Sequence, residues 1–458
     1  MSFARQKSEL APPSPEPVAN KPASTVAFGA LVAFSILYYA RPEDLIPGLS
    51  YVPLVKIAGG VAILALLFGA RKARAVKKLP VEIKLLLALL GWLILTIPFA
   101  WWRGGAFDAV FNGFSKGVIV ALLVSLVVTR MEELRTLLFV QAICLTLMTL
   151  ASIAFNRELR MGGVLGGVFE NPNDLAINIA LNFPLALAFL LLAKGPLKKF
   201  LWMLALFIMV AGILLTYSRS GFLAMLVAVV IGLWQFGVKG RRLHLIGVTM
   251  LGVILLAVVA PLIGLYPKIW TDRMATIVSN SPQKLEESYD NGSKEAREEL
   301  FHLSLTYIAR HPVFGVGPGN FESVSGTWRV AHNTYTELGA EAGLPALFLF
   351  LLVLAAAVRN LWRVSRSQAF HDNVSIRVFT GAIWASFGAY LLGAAFSDTQ
   401  YELFPYFMVA YTTALYHLAC VFPGARVSAP EMETDKPLRF RGFHRRLEKP
   451  VATGKVSA

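Results

Sequence analysis

The chain has 458 residues, of which 56% are apolar and 16% charged, with a mean hydropathy of +0.60. Soluble domains carry about 25% charged residues, so this composition excludes an ordinary soluble globular protein and points to repeated membrane crossings. The net charge of +15 then calls for no nucleic acid, because basic residues collect in the cytoplasmic loops of such proteins.

In chain order, residues 1–24 are rich in Pro, Ala and Ser, lack the apolar core of a cleavable signal peptide, and read as a disordered cytoplasmic tail. Stretches long enough to cross roughly 30 Å of hydrocarbon then follow. They fall near 25–40, 53–69, 82–101, 113–129, 134–155, 175–193, 200–217, 220–237, 243–264, 341–359, 377–396 and 403–421, about twelve spans in all. The expected fold is an all-α polytopic membrane bundle: nine spans within 25–264, a large loop over 265–340, three spans within 341–421, and a basic tail over 422–458. Cys144 and Cys420 both sit inside apolar runs without partners at metal-ligand spacing, which argues against a disulfide framework or a Cys-built metal site.

Charge sets the expected orientation. With the N-terminus inside, the short inside loops hold 17 Lys and Arg, from Arg71 to Arg377, whereas the short outside loops hold five: Arg41, Arg103, Arg157, Arg160 and Arg219. Both termini are therefore expected in the cytoplasm, with the basic cluster from Arg439 to Lys449 suited to an anionic inner leaflet, and the 265–340 loop on the outside.

The outside face collects the residues that suit chemistry. Arg157 and Arg160 precede the sixth span, and Phe169-Glu170-Asn171-Pro172-Asn173-Asp174 opens it, with Asn173 or Asp174 as a helix cap and nearby glycines allowing close backbone approach. Arg219 stands in the short turn Tyr217-Ser218-Arg219-Ser220-Gly221, either as an interfacial anchor or, with Arg157, Arg160 and Arg297, as part of a cationic face whose guanidinium forks match phosphate oxygens. In the large loop, a turn-rich first half gives way to a helix predicted from Ser293, its N-cap, with Leu300, Leu303, Leu305 and Ile308 on its apolar side. The Gly- and Pro-rich run His311 to Phe321 returns the chain to the spans. Next comes Ala331-His332-Asn333 through Pro345, a polar stretch at the mouth of an apolar helix, where charge is costly unless it meets protein, water or substrate. His332 is either a capping or buried hydrogen-bonding residue or the group able to accept a proton at neutral pH. Glu337 and Glu341, four apart on one helix face, either orient the imidazole, bind a sugar hydroxyl, or form a solvated first turn.

The sequence contains no P-loop, no His-Glu-x-x-His helix, no Gly-x-Ser-x-Gly elbow and no outside Asp-x-Asp pair for a metal-held phosphate. The ordered set Phe169 to Ala176, Tyr217 to Gly221, Ser293 to Arg297, His311 to Phe321 and His332 to Gly343 resembles the bacterial O-antigen ligase and O-antigen polymerase superfamily over roughly residues 155–350. The resemblance implies a metal-independent, cofactor-free glycosyltransferase of the inner membrane, moving a glycan from undecaprenyl diphosphate to an acceptor hydroxyl on the periplasmic side. In ligases the acceptor is a sugar of lipid A-core; in polymerases it is a sugar of another lipid-linked repeat. Carried over by motif, Arg219 and Arg297 hold the diphosphate and His332 activates the acceptor. Arg160, Arg157, Asn171, Asn173, Asn333, Glu337 and Glu341 are the candidates for further substrate contacts. A single large outside loop favours ligase over polymerase. A transporter of lipid-linked glycans is the rival from another class, but it would carry charges at mid-span and matching halves, whereas only Lys56, Lys84 and Lys116 are scattered within spans.

Overall fold

The computed structural model describes residues 25–40, 42, 54–69, 79–155, 161–163, 171–238 and 291–421. Among these residues every regular element is helical. The expected span at 243–264, the first half of the 265–340 loop, the two tails, and Arg157 and Arg160 lie outside the described residues.

Eight of the described helices are long and apolar enough to cross a membrane, which makes this a multi-pass membrane protein. Two shorter apolar helices come first, α1 (Thr25–Ala40) and α2 (Leu54–Gly69). At 16 residues each, they reach only roughly 24 Å at 1.5 Å per residue. The long ones follow: α3 (Val81–Thr96, extended by a 3-10 turn to Phe99), α4 (Arg103–Val127), α5 (Met131–Phe155), α6 (Pro172–Leu192), α7 (Pro196–Thr216) and α8 (Arg219–Val238). After the loop helix α9 (Asn291–Arg310) and a single turn, α10 (Phe321–Val324), come α11 (Thr334–Ser365), the short α12 (Gln368–Asp372), α13 (Val374–Gly393) and α14 (Phe404–Tyr416). The expected last span, 403–421, is thus a helix of 13 residues continued by a π turn, and its residues from Phe404 to Leu415 are all buried.

Helix α6 lies at the heart of the bundle, packed against α5, α7, α8 and α13. Without a hydrophobic force between helices in lipid, close approach depends on small residues. Gly221 in α8 meets Ala176 in α6 so tightly that an added Cβ would lie 2.2 Å from the alanine methyl, and Gly212 in α7 leaves a like space to Thr149.

The loop helix α9 begins at Asn291, so Ser293, the expected cap, falls inside its first turn. Leu300, Leu303, Tyr307 and Ile308 pack with Phe321, Ala331 and Ala340 in a small apolar cluster that fastens α9 to α11. Leu305, expected on that side, is 42% exposed, because it lies off the arc shared by Leu300, Leu303, Tyr307 and Ile308.

Candidate functional site

The frame of the site follows from a break in α11. Gly343 (φ +80°, ψ 174°) interrupts its helical backbone, and Pro345 has no N–H to return to the Glu341 carbonyl. Leu344 N–H turns aside to Pro312 O at 2.8 Å, which leaves the Ala340 carbonyl without its helical donor as well. The Gly- and Pro-rich run supplies both missing donors: Val316 N–H bonds Ala340 O at 2.9 Å and Gly317 N–H bonds Glu341 O at 2.8 Å. Orphaned carbonyls at membrane depth are costly, so the turn and the kink require each other. Gly315, Gly317 and Gly319 all have positive φ within this run, and Phe314 stacks between Trp92 and Phe99 of the α3 segment.

Above the kink, Thr334 to Ala342 form a short helix of their own, carrying the polar stretch singled out by the sequence. Asn333 is its N-cap: its Oδ1 accepts from Tyr335 N and Thr336 N, each at 3.1 Å, and its Nδ2 donates to Ala395 O. Thr334 binds the loop after α13 through Oγ1 to Ser397 O at 2.6 Å and through its N–H to the same carbonyl. His332 holds a left-handed backbone (φ +51°), uncommon for a residue with a side chain. Its Nδ1 stands 3.7 Å from Asp398 Oδ1, within ion-pair reach and beyond a direct hydrogen bond.

Asp398 is the residue that sequence reasoning missed. It sits on the loop between α13 and α14, far from His332 in sequence, whereas Glu337 and Glu341 are near neighbours of His332 along the chain. The available signal was the pair of carboxylates, Asp398 and Glu402, in a short loop between two apolar helices.

The two glutamates are buried and serve the frame. Glu337 Oε2 accepts from Ala331 N at 2.8 Å, fixing the residue before His332. Glu341 Oε1 accepts from Phe321 N at 3.1 Å, and its Oε2 accepts from Tyr401 OH at 2.7 Å. Burial, then the neighbouring Glu341 and Glu337 carboxylates, hold the Tyr401 phenol well above its usual range, so it remains a donor.

Two arginines complete the site. Arg219 is the first residue of α8, whose N-cap Ser218 accepts from Gly221 N. Arg297 comes from α9, with Glu298 and Phe301 beside it. Together with His332, Asn333 and Phe396 they line one cavity of about 420 Å³. Residues from four distant stretches of the chain are thereby brought to one place, and the N-terminal ends of α8 and α11 both border it. Helix N-termini and guanidinium forks favour an anion with several oxygens, while a neutral imidazole accepts a proton. Asn171 and Asn173 do not border the cavity: Asn171 caps α6 by accepting from Asn173 N at 2.9 Å, and Asn173 Oδ1 accepts from Ser218 Oγ at 2.8 Å. Among the described residues no three His, Cys, Asp or Glu side chains converge as a metal site would require.

A family model described as O-antigen ligase matches residues 204–351, just under a third of the chain, and the match supports placing the protein in the O-antigen ligase and polymerase superfamily. The matched segment contains Arg219, Arg297 and His332 and ends before Asp398. Comparison with curated proteins gave no match.

Proposed function

We propose that this protein is a glycosyltransferase of the O-antigen ligase type, which passes a glycan from undecaprenyl diphosphate to a sugar hydroxyl of a lipid A-core acceptor at the periplasmic face of the inner membrane. The observation that carries the reading is the single cavity bordered by Arg219, Arg297 and His332. The family match supports the broader class, lipid-linked glycan transfer, and the excess of Lys and Arg in alternate loops supports the periplasmic placement of the cavity.

In the proposed reaction, Arg219 and Arg297 hold the donor diphosphate. The acceptor oxygen attacks the anomeric carbon as the bond from that carbon to the diphosphate oxygen breaks. The bonding pair stays on the departing diphosphate, and the acceptor proton passes to Nε2 of His332. Asp398 Oδ1, 3.7 Å from Nδ1, sets a negative charge beside the ring, where it stabilises the positive charge that forms as the proton arrives. Negative charge grows on the leaving group as the bond lengthens, so fixed guanidinium groups stabilise the transition state more than the bound donor.

His332→Ala and Arg219→Ala, reconstituted with lipid-linked glycan and acceptor, are expected to lose transfer by roughly 10²–10³-fold. Near-normal transfer by either variant removes that residue from the mechanism. A polymerase of the same superfamily is the second reading, and the glycolipids of a deletion strain separate the two. Free core beside long lipid-linked polymer marks a ligase; single repeats on the core mark a polymerase.

A further inference from the structure

The first turn of α6 carries two side chains, Asn173 and Asp174, that neither cap their own helix nor border the cavity. Asn171 supplies the cap, and Pro172 takes the first helical position, where its missing N–H costs nothing. The next two side chains are left to bond elsewhere. Successive helical residues point about 100° apart, so they reach different neighbours.

Asn173 reaches the arginine wall. Its Oδ1 accepts from the Oγ of Ser218 at 2.8 Å, and Ser218 is the buried cap that starts α8 one residue before Arg219. The contact between Gly221 and Ala176 presses the same two helix turns together. Asp174 reaches the imidazole wall. Its Oδ1 accepts from the Oγ of Ser397, which is 1% exposed, and the Ser397 carbonyl accepts from both Oγ1 and N of Thr334. The residue after Ser397 is Asp398, which faces His332.

We infer that this turn of α6 is a positioning element that sets the spacing between Arg219 and His332, with Asn173 holding the anion side and Asp174 the proton-transfer side. The inference rests on the roles proposed above for those two cavity residues and assigns a purpose to side chains that do not border the cavity. In the single displacement proposed above, the acceptor hydroxyl approaches the anomeric carbon opposite the departing diphosphate, and an error of about 1 Å in such geometry can cost on the order of 10²-fold in rate. A single turn that grips both walls fixes that distance with two adjacent residues.

The test is a kinetic comparison of full-length variants in proteoliposomes. Asn173→Ala and Ser218→Ala are expected to raise the donor KM roughly ten-fold, the loss of one buried hydrogen bond on the binding side. Asp174→Ala and Ser397→Ala are expected to lower kcat by up to roughly 10²-fold with donor KM unchanged. Within each pair the double variant loses no more than the worse single one, and across pairs the losses add. Asp174→Asn keeps an oxygen for Ser397 and recovers most of kcat. Where an alanine at 173 or 174 prevents folding, the two serine variants carry the comparison alone. A merely structural turn would move KM and kcat alike at both positions, and that result overturns the inference. Wild-type kinetics in Asp174→Ala and Ser397→Ala, with His332→Ala inactive, overturn it too while leaving the base assignment standing. Split kinetics beside an active His332→Ala support the positioning element and overturn the base assignment.

Discussion

Replacing Gly343 by alanine tests whether the kink in α11 and the Gly- and Pro-rich turn depend on each other. A Cβ at this position would lie 1.9 Å from Val313 O and 2.4 Å from Val313 C, both backbone atoms unable to swing away. The positive φ adds about 1–3 kcal/mol of strain for a residue with a side chain. Relieving the clash requires the turn to withdraw, which breaks the bonds from Leu344, Val316 and Gly317 to Pro312, Ala340 and Glu341. At about 1 kcal/mol each, these three add about 3 kcal/mol, for a total of about 4–6 kcal/mol. In a chain of this size each kcal/mol lowers Tm by about 2 °C, so a fall of about 8–12 °C is expected in detergent-solubilised protein. Gly195 is the control: its φ is +86°, yet nothing lies within 4 Å of an added Cβ, so Gly195→Ala carries the strain alone. Equal shifts for the two variants, or a Gly343→Ala protein unfolding within about 2 °C of wild type, would refute the reasoning.

Three further outcomes are expected. Arg219→Lys keeps the charge at the start of α8 but loses the fork, and transfer rates in proteoliposomes should fall roughly ten-fold below wild type, between wild type and Arg219→Ala. Asp398→Asn removes the carboxylate behind His332, and single-turnover rates should drop by roughly ten-fold with donor binding unchanged; a drop in binding alone would contradict the assignment. Tyr401→Phe deprives the buried Glu341 carboxylate of a donor at 2.7 Å and should cost about 1–3 kcal/mol, read as a lower Tm.

How much could be read from sequence divides along the range of the interactions. Apolar length and local turn chemistry located most of the described helices within about four residues, together with the loop helix α9 and the glycine turn after it, because those signals are local. Helix α4 begins well before the expected span 113–129, and α11 overruns 341–359 at both ends, because polar and small residues at span ends continue the helix without an apolar signal. Arg219 and Arg297, which border the cavity, stood out because positive charge is scarce in the short loops that alternate with the basic ones. What escaped was the partnership of each polar side chain. Glu337 and Glu341 occupy one helix face, as their spacing of four requires, but that face looks inward to backbone N–H groups of Ala331 and Phe321. Asp398 and Ser397 lie at the end of an apolar run with no periodicity of their own, and only tertiary packing brings them beside His332 and Asp174.

The break at Gly343 has a mechanical consequence. Membrane-spanning helices tilt when the bilayer thins or thickens, and a catalytic group on an unbroken span would tilt with them. Here the apolar part of α11 runs from Leu344, while the short segment that starts at Asn333 and Thr334 is tied by protein-to-protein bonds to the glycine turn and to the loop after α13. Its placement therefore does not depend on an unbroken helix through Gly343.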